Sequence, residues 1–185
     1  ARSTPTCLQR WRSVAAPVVF AGFGIRETAP ARDDYKGLDV KGKVVVYATN
    51  MPKGIPGPVI SHSRAQSWET LRKAGAVGVI TFAGSPANDA AFARGSANRL
   101  APQMTLDDPA LDSQRGNRLA LTWNVARAAK LFDGAPEPLA AIIARADSGL
   151  KLPHFAVPVR IRSRVALVHD RATSDNVLGL LPGAD

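Results

Sequence analysis

Four consecutive β-forming residues, Val44 to Tyr47, restrict the fold of this chain more than any other feature of its sequence. A strand whose successive side chains are all apolar has two buried faces, which is typical of the middle of a covered sheet. A helical pattern follows, and after Gly75 a second apolar run extends from Val77 to Phe82. This order of strand, helix and strand predicts an α/β unit lying on a sheet.

The helix of this unit is predicted from its boundary signals. The segment Met51–Val59 is rich in proline and glycine and is predicted to be a loop. Ser61 or Ser63 can cap the helix that follows, and Gly75 can end it. The residues expected to face the core recur at three-residue spacing and are Ala65, Trp68 and Leu71.

Further patterns complete a β-rich α/β domain of about seven strands and three short helices. Asn124 is placed to cap the second helix. The other predicted strands are Val18–Ala21, Leu119–Trp123, a strand from Val157 and Asn176–Leu181, and the other helices are Val125–Phe132 and Leu139–Ala146.

The domain organisation follows from the same patterns. Residues 1–17 are polar and basic and are predicted to form a loose lead-in segment, of a kind in which disorder is common, before a single domain over 18–185. Residues 84–114 show no periodicity and are predicted to be an irregular excursion. Residues 174–185 are expected to contain the last strand.

The strand from Val157 has an apolar face and a basic face. Val157, Val159, Ile161, Val165 and Leu167 share one parity. Two interpretations stay open for the basic face: it keeps an edge strand soluble through its charge, or it binds a carboxylate-rich partner. Its residues are Arg160, Arg162 and Arg164.

The net charge of +9 favours anionic partners in general. The basic residues are scattered, however, and aromatic residues make up only 6% of the chain, so stacking platforms for bases are scarce. We therefore predict no nucleic-acid partner. The sequence also predicts no membrane span, since it contains no apolar run of about 18 residues.

No catalytic, cofactor-binding or metal-binding residue is predicted. The three histidines, His62, His154 and His169, stand in no ligand spacing, and Cys7 is the only cysteine. The sequence contains no nucleophile elbow and no phosphate loop, and Gly22 and Gly24 lack the third glycine of a dinucleotide loop. Two acidic pairs can bind a cation or form turns, and turns are favoured: Asp33–Asp34 and Asp107–Asp108.

Three segments carry a family resemblance. Phe20–Ile25 followed by Asp33–Val46 resembles the opening of a protease-associated (PA) domain, in particular the one found in M28-family zinc aminopeptidases. Arg72–Ile80 is similar to the helix-to-strand passage of that family. Ser174–Gly183 looks like the strand by which the chain returns to the peptidase domain.

The resemblance implies a swivelling β/β/α domain, a β-sandwich or open barrel with flanking short helices. It implies a non-catalytic part of a larger metallopeptidase that gates substrate access or binds peptides and proteins, with recognition expected at the loops 51–60 and 84–103. The partners would be the peptidase domain of the same polypeptide and a peptide or protein substrate. Zinc would belong to the peptidase domain, and export from the cytoplasm would follow the habit of the family.

Three rival functions remain at this point. The first is a stand-alone module that binds proteins or peptides with no peptidase attached. The second is an enzyme in its own right, for which the sequence offers no catalytic cluster. The third is binding of an anionic polymer, which would weaken steeply as salt is added.

Overall fold

The computed structural model of this chain describes residues 8–28, 31–83, 89–102, 104–175 and 177–181. Its regular elements belong to one mixed α/β fold with a curled five-stranded sheet, like half of a barrel. In chain order the strands are β1 (Leu8–Ala21), β2 (Arg26–Thr28), β3 (Ala31–Asp33), β4 (Val44–Ala48), β5 (Gly78–Phe82), β6 (Ala120–Thr122) and β7 (His154–His169). The helices are α1 (Gly57–Lys73), α2 (Asp89–Ala97) and α3 (Leu139–Asp147), with 3₁₀ segments at Asn98–Leu100 and Val125–Phe132.

The strand order in the sheet is β6-β5-β4-β1-β7. Strands β1, β4, β5 and β6 run parallel to one another, and β7 runs antiparallel to β1. Strands β2 and β3 form a separate hairpin. The two edges of the sheet are therefore the short strand β6 and the long strand β7.

Strand β4 is the centre of the sheet, as its sequence predicts. All five of its residues are buried, and both of its neighbours are paired with it. Helix α1 connects β4 to the parallel strand β5, so the predicted α/β unit is confirmed. Burial on both faces is the reason that this strand can be apolar at every position.

Each face of the sheet has its own apolar layer. On one face, Trp68 and Leu71 of α1 cover Val19, Val45 and Val79. On the other face, the 3₁₀ segment Val125–Phe132 and α3 cover the sheet around four phenylalanine rings whose centroids lie 5.4–6.4 Å apart. Those rings belong to Phe20, Phe82, Phe132 and Phe155.

Helix α1 begins earlier than the sequence indicates. It starts at Gly57 with Pro56 at the N-cap position, inside the segment predicted as a loop, because proline is tolerated in a first helical turn. Ser61 and Ser63 are therefore not caps, and Ser63 is buried within the helix. Gly75 ends the helix as predicted, with φ at 86°.

The predicted core face of α1 needs one correction. Trp68 and Leu71 are buried, as expected, but Ala65 is exposed. The buried face of the helix therefore differs from the predicted one, because it includes Ile60 and Ser67 and not Ala65.

Residues 8–17 form a strand and not a loose lead-in. Strand β1 pairs with β7 from Leu8 opposite His169 to Ala21 opposite His154, with a register shift next to Pro17 and Val18. The pairing explains the difference, because a polar segment becomes a strand when a partner strand satisfies its backbone. Residues 1–7, including Cys7, lie outside the described residues.

Two further expectations differ from the structure. The predicted irregular excursion over 84–114 contains α2 and a 3₁₀ turn among its described residues. The predicted last strand over 176–181 is not formed, since residues 177–181 have no regular structure. Residues 84–88, 103, 176 and 182–185 lie outside the described residues.

Candidate functional site

An open groove lies beside β6, at one edge of the sheet. Strand β6 has only three residues, and its last pair with β5 joins Thr122 to Thr81. The backbone N–H of Trp123 donates to the carbonyl of Thr81 at 2.7 Å, which extends the alignment by one residue. The groove has a volume of about 430 Å³ and is lined by Phe92, Leu121, Thr122, Trp123, Asn124 and Arg127.

The local turn after β6 fixes the polar side of this groove. The side chain of Asn124 accepts a hydrogen bond from the backbone N–H of Ala126 at 2.8 Å, so Asn124 caps the 3₁₀ segment as predicted. The amide nitrogen of Asn124 stays available as a donor, because the cap uses only the carbonyl oxygen. The exposed residue Arg127 follows one turn later and brings a cation to the same groove.

The apolar side of the groove consists of Phe92, Leu121 and Trp123. Leu121 is 42% exposed, whereas Trp123 is half-buried and also contacts the core. Exposed apolar surface beside convergent donors is the usual composition of a site for a small ligand or a peptide side chain. The groove can therefore bind an apolar group together with a carboxylate or a carbonyl.

The basic face of β7 lies at the opposite edge of the sheet. Side chains of residues 154–164 alternate between exposed and covered positions, so the predicted half-buried strand is confirmed there, whereas Val165 of the predicted apolar face is exposed. On this exposed face the neighbouring β1 residues are Ser13, Ala15 and Pro17, which pair with Arg164, Arg162 and Arg160. Strand β1 thus offers no acidic partner to the arginine row.

The three histidines lie on two elements, His62 on α1 and the other two on β7. His62 is exposed on α1, where its Nε2 lies 3.1 Å from Nε2 of Gln66. His154 and His169 are the first and last residues of β7, so roughly 50 Å of extended strand separates them. Within the described parts of the chain, no three His, Cys, Asp or Glu side chains form a group that could hold a metal ion.

The acidic pairs show the favoured turn chemistry. Asp33 accepts a hydrogen bond from the backbone N–H of Tyr35 at 2.9 Å, and Asp108 accepts one from Ala110 at 2.8 Å. Such contacts to the residue two positions ahead are Asx turns, so the turn interpretation is confirmed for both residues. Asp107 instead forms an exposed ion pair with Arg171.

Asp34 has a structural role that its sequence context does not reveal. It is 5% exposed and accepts hydrogen bonds from the backbone N–H groups of Phe23 and Ile25 at 3.1 and 3.2 Å. Its other oxygen accepts from Nε of Arg32 at 2.9 Å, and that guanidinium lies over the ring of Phe23. Asp34 therefore fixes the turn after β1 and is not free to bind a cation.

Tyr35 and Tyr47 extend this buried polar region. The hydroxyl of Tyr35 donates to the carbonyl of Gly24 at 2.7 Å, and burial raises the pKa of that hydroxyl well above its usual value. A Cβ at Gly24 would lie 2.6 Å from the ring of Tyr47, so only glycine fits there. Gly24 and Tyr35 both lie in the segments that resemble a PA domain, and these contacts give each of them a structural role.

The groove beside β6 was not found from the sequence. Phe92 lies in the segment predicted to be irregular, and only folding brings α2 next to Trp123. The one available signal was Asn124, whose capping role marks the turn at the groove.

Two further findings complete the description. No helix within the described residues is long and apolar enough to cross a membrane. No family model, no curated protein and no solved structure matches this chain.

Proposed function

We propose that this chain is a non-catalytic, peptide-binding domain of the PA type, carried by a larger zinc metallopeptidase whose substrates it helps to admit and position. The observation that carries the proposal is the groove beside β6, where Phe92, Leu121 and Trp123 lie next to Arg127. An apolar side chain of a peptide can enter between the rings while Arg127 and Asn124 bind its carboxylate or a carbonyl.

The free backbone of β6 adds a second means of binding a peptide. Strand β6 is the last strand at its edge of the sheet, and its three side chains are exposed. An extended peptide can pair with such an edge through its main chain while pockets select its side chains. The groove and the edge together favour an extended peptide over a compact small molecule.

The course of β1 and β7 supports attachment to another domain. Leu8 and His169 are paired at the far end of the two-stranded ribbon, so the chain before β1 and after β7 departs from one place. Neighbouring attachment points allow a domain to be inserted into another without stretching either connection. The resemblance in Phe20–Ile25 and Asp33–Val46 supplies the family, and the groove supplies the activity that we assign.

Peptide binding is tested first on the chain itself. Short peptides ending in an apolar residue with a free carboxylate, and carrying a fluorescent label at the N-terminus, are titrated with the chain while fluorescence anisotropy is recorded. We expect Trp123→Ala and Arg127→Gln each to weaken binding about tenfold or more, since buried aromatic and arginine anchors carry most of the binding energy. The matched controls are Leu106→Ala and Arg94→Gln, which change exposed residues outside the groove.

Two results would contradict the groove assignment. One is equal loss of affinity in the control variants, and the other is unchanged affinity in Trp123→Ala. Amidated peptides separate the role of Arg127, because they lack the carboxylate and should bind equally well to the parent chain and to Arg127→Gln.

The peptidase context is tested in the full-length protein. We compare kcat/KM for long and short peptides before and after deletion of residues 18–168. Unchanged activity and selectivity would remove the gating role. A coding sequence without a His-x-Asp ligand pair after Asp185 would favour the alternative, a stand-alone module that binds proteins or peptides.

A further inference from the structure

The arginine edge is the free edge of β7 together with Arg160, Arg162 and Arg164. We propose that it binds an extended acidic protein segment, added to the sheet next to β7, with a carboxylate at every second residue. This surface lies at the opposite edge of the sheet from the groove, and the inference does not depend on the proposed function.

The backbone of β7 is suited to accept another strand. From Arg160 to His169 it pairs with β1 in one regular register, from Pro17 to Leu8. This regular half is about 30 Å long, and no described strand pairs with its outer side. Edge strands that are protected against association are usually short or interrupted by proline. The single proline of β7, Pro158, lies before this regular half and does not interrupt it.

The charges of the edge are equally regular. Residues two apart on a strand are about 6.8 Å apart on one face, which matches the spacing of alternate side chains in a partner strand. No acidic side chain of the described residues is within ion-pair distance of Arg160 or Arg162. Their neighbours on β1, Pro17 and Ala15, are small and uncharged.

The unpaired edge of β7 favours a protein strand over a nucleic acid as the source of the acidic groups, because only a polypeptide can continue the backbone hydrogen bonding of a sheet. A guanidinium presents a planar fork that binds a carboxylate through two parallel hydrogen bonds. Single-stranded nucleic acids also need aromatic platforms for their bases. The described neighbours of the arginine row on this face, Ser13, Ala15, Ala156 and Pro158, are not aromatic, and Trp11 has the same parity on β1, opposite Ala166.

Synthetic peptides test the inference directly on the whole chain. The main probe is a fluorescent peptide of alternating glutamate and threonine, with its affinity measured by anisotropy at low salt. One comparison peptide replaces every glutamate with glutamine, and another keeps the same composition but groups all glutamates together. A third carries N-methyl groups along one backbone edge, which removes donors for strand pairing and keeps the charge.

The matched protein variants change equal amounts of charge. The triple variant Arg160→Gln, Arg162→Gln, Arg164→Gln is compared with Arg94→Gln, Arg115→Gln, Arg118→Gln, which alters exposed residues elsewhere. We expect the first to bind the alternating peptide about tenfold more weakly, because the cross-strand charge pairs at Arg160 and Arg162 are lost. The control variant should stay within about twofold of the parent chain.

Each outcome decides the question. Preference for the alternating peptide over the grouped and N-methylated ones, lost in the first variant alone, supports the inference. Equal binding of the alternating and grouped peptides would mean general attraction to anions and would overturn it. Absence of binding by the parent chain would also overturn it and would leave the arginines as charge that keeps the edge soluble. If the triple variant does not fold, as judged by circular dichroism, Arg162→Gln alone should still lower the affinity measurably, and an unchanged affinity would count against the inference.

Discussion

The two edges of the sheet differ in length, charge and support. Strand β6 has three residues and ends at a partly apolar groove, whereas β7 has sixteen residues and carries a row of arginines. The edge at β6 is short because its chain leaves the sheet at once through the capped turn at Asn124. The edge at β7 is long because β1 supports it from Leu8 to Ala21.

Under the two proposals made above, this difference gives one scaffold two separate modes of recognition. A groove with rings selects by shape and apolar contact, and its affinity for a peptide without a free carboxylate would depend little on salt. A charged edge selects by the spacing of carboxylates, and its affinity falls as salt screens the charges. Because the core strands β4 and β1 lie between β5 and β7, changes at one edge need not disturb the other.

The largest effect is expected from a substitution that loosens β6. A Cβ at Gly78 would lie 2.8 Å from the carbonyl oxygen of Leu119, so Gly78→Ala must push the start of β6 away from β5. We expect a loss of about 1–3 kcal/mol in the free energy of unfolding, as for other overpacked sites. Denaturant unfolding measures this value.

The control for that substitution is Gly95→Ala. Gly95 lies in α2 with nothing within 4 Å of an added Cβ, so alanine should leave stability unchanged or raise it by up to about 1 kcal/mol. A stable Gly78→Ala chain with normal peptide binding would show that β6 does not depend on close contact with Leu119.

The second prediction concerns salt. Between about 0.05 M and about 0.5 M salt, affinity at the arginine edge should fall about tenfold, whereas affinity of an amidated apolar peptide at the groove should change less than about twofold. Titrations of both peptides on the same preparation measure the two slopes. Equal slopes would remove the distinction between the two edges.

The third prediction is about association. Replacing Arg160, Arg162 and Arg164 with valine should change the free energy of unfolding by less than about 0.5 kcal/mol per substitution, since all three are exposed. The same variant should self-associate, because a long apolar edge is a template for pairing. Sedimentation detects the oligomers.

The comparison variant for association carries three valines at Arg94, Arg115 and Arg118, which lie outside the sheet. It should remain a monomer if the free edge, and not apolarity alone, drives pairing. Equal association of both variants would contradict the strand-pairing explanation.

The smallest expected effect is the coupling between the edges. Trp123→Ala and Arg162→Gln should add in the free energy of unfolding within about 0.5 kcal/mol, because the two residues lie at opposite edges of the sheet. A double-mutant cycle measures the coupling. A clearly larger value would mean that the sheet transmits changes from edge to edge.

Much of the scaffold could be predicted from local patterns. The apolar run at Val44 identified the central strand, Gly75 marked the end of α1, and Asn124 marked the cap of the 3₁₀ segment. The alternation after Val157 identified both faces of β7. Each of these signals acts within a few residues, which is why a single sequence shows them.

Other parts could not be predicted in this way. The polar residues 8–17 became a strand through pairing with β7, and Asp34 became buried because the backbone of Phe23 and Ile25 donates to it. Helix α1 began in a proline-rich segment because its first turn needs no proline N–H. For residues 8–17 and for Asp34, the partner that decides the structure lies elsewhere in the sequence. For α1, a proline-rich segment is typical of a loop as well as of the start of a helix.

The sequence by itself determined the β-rich α/β class, the central α/β unit and the arginine-lined face, since these depend on the periodicity of neighbouring residues. Only the tertiary structure decided which strands are edges, and it alone placed Phe92 beside Trp123 to form a groove. The physical reason is that edges and grooves are made by contacts between elements. Such contacts depend on the packing of the whole chain and leave no periodic signal in any one segment.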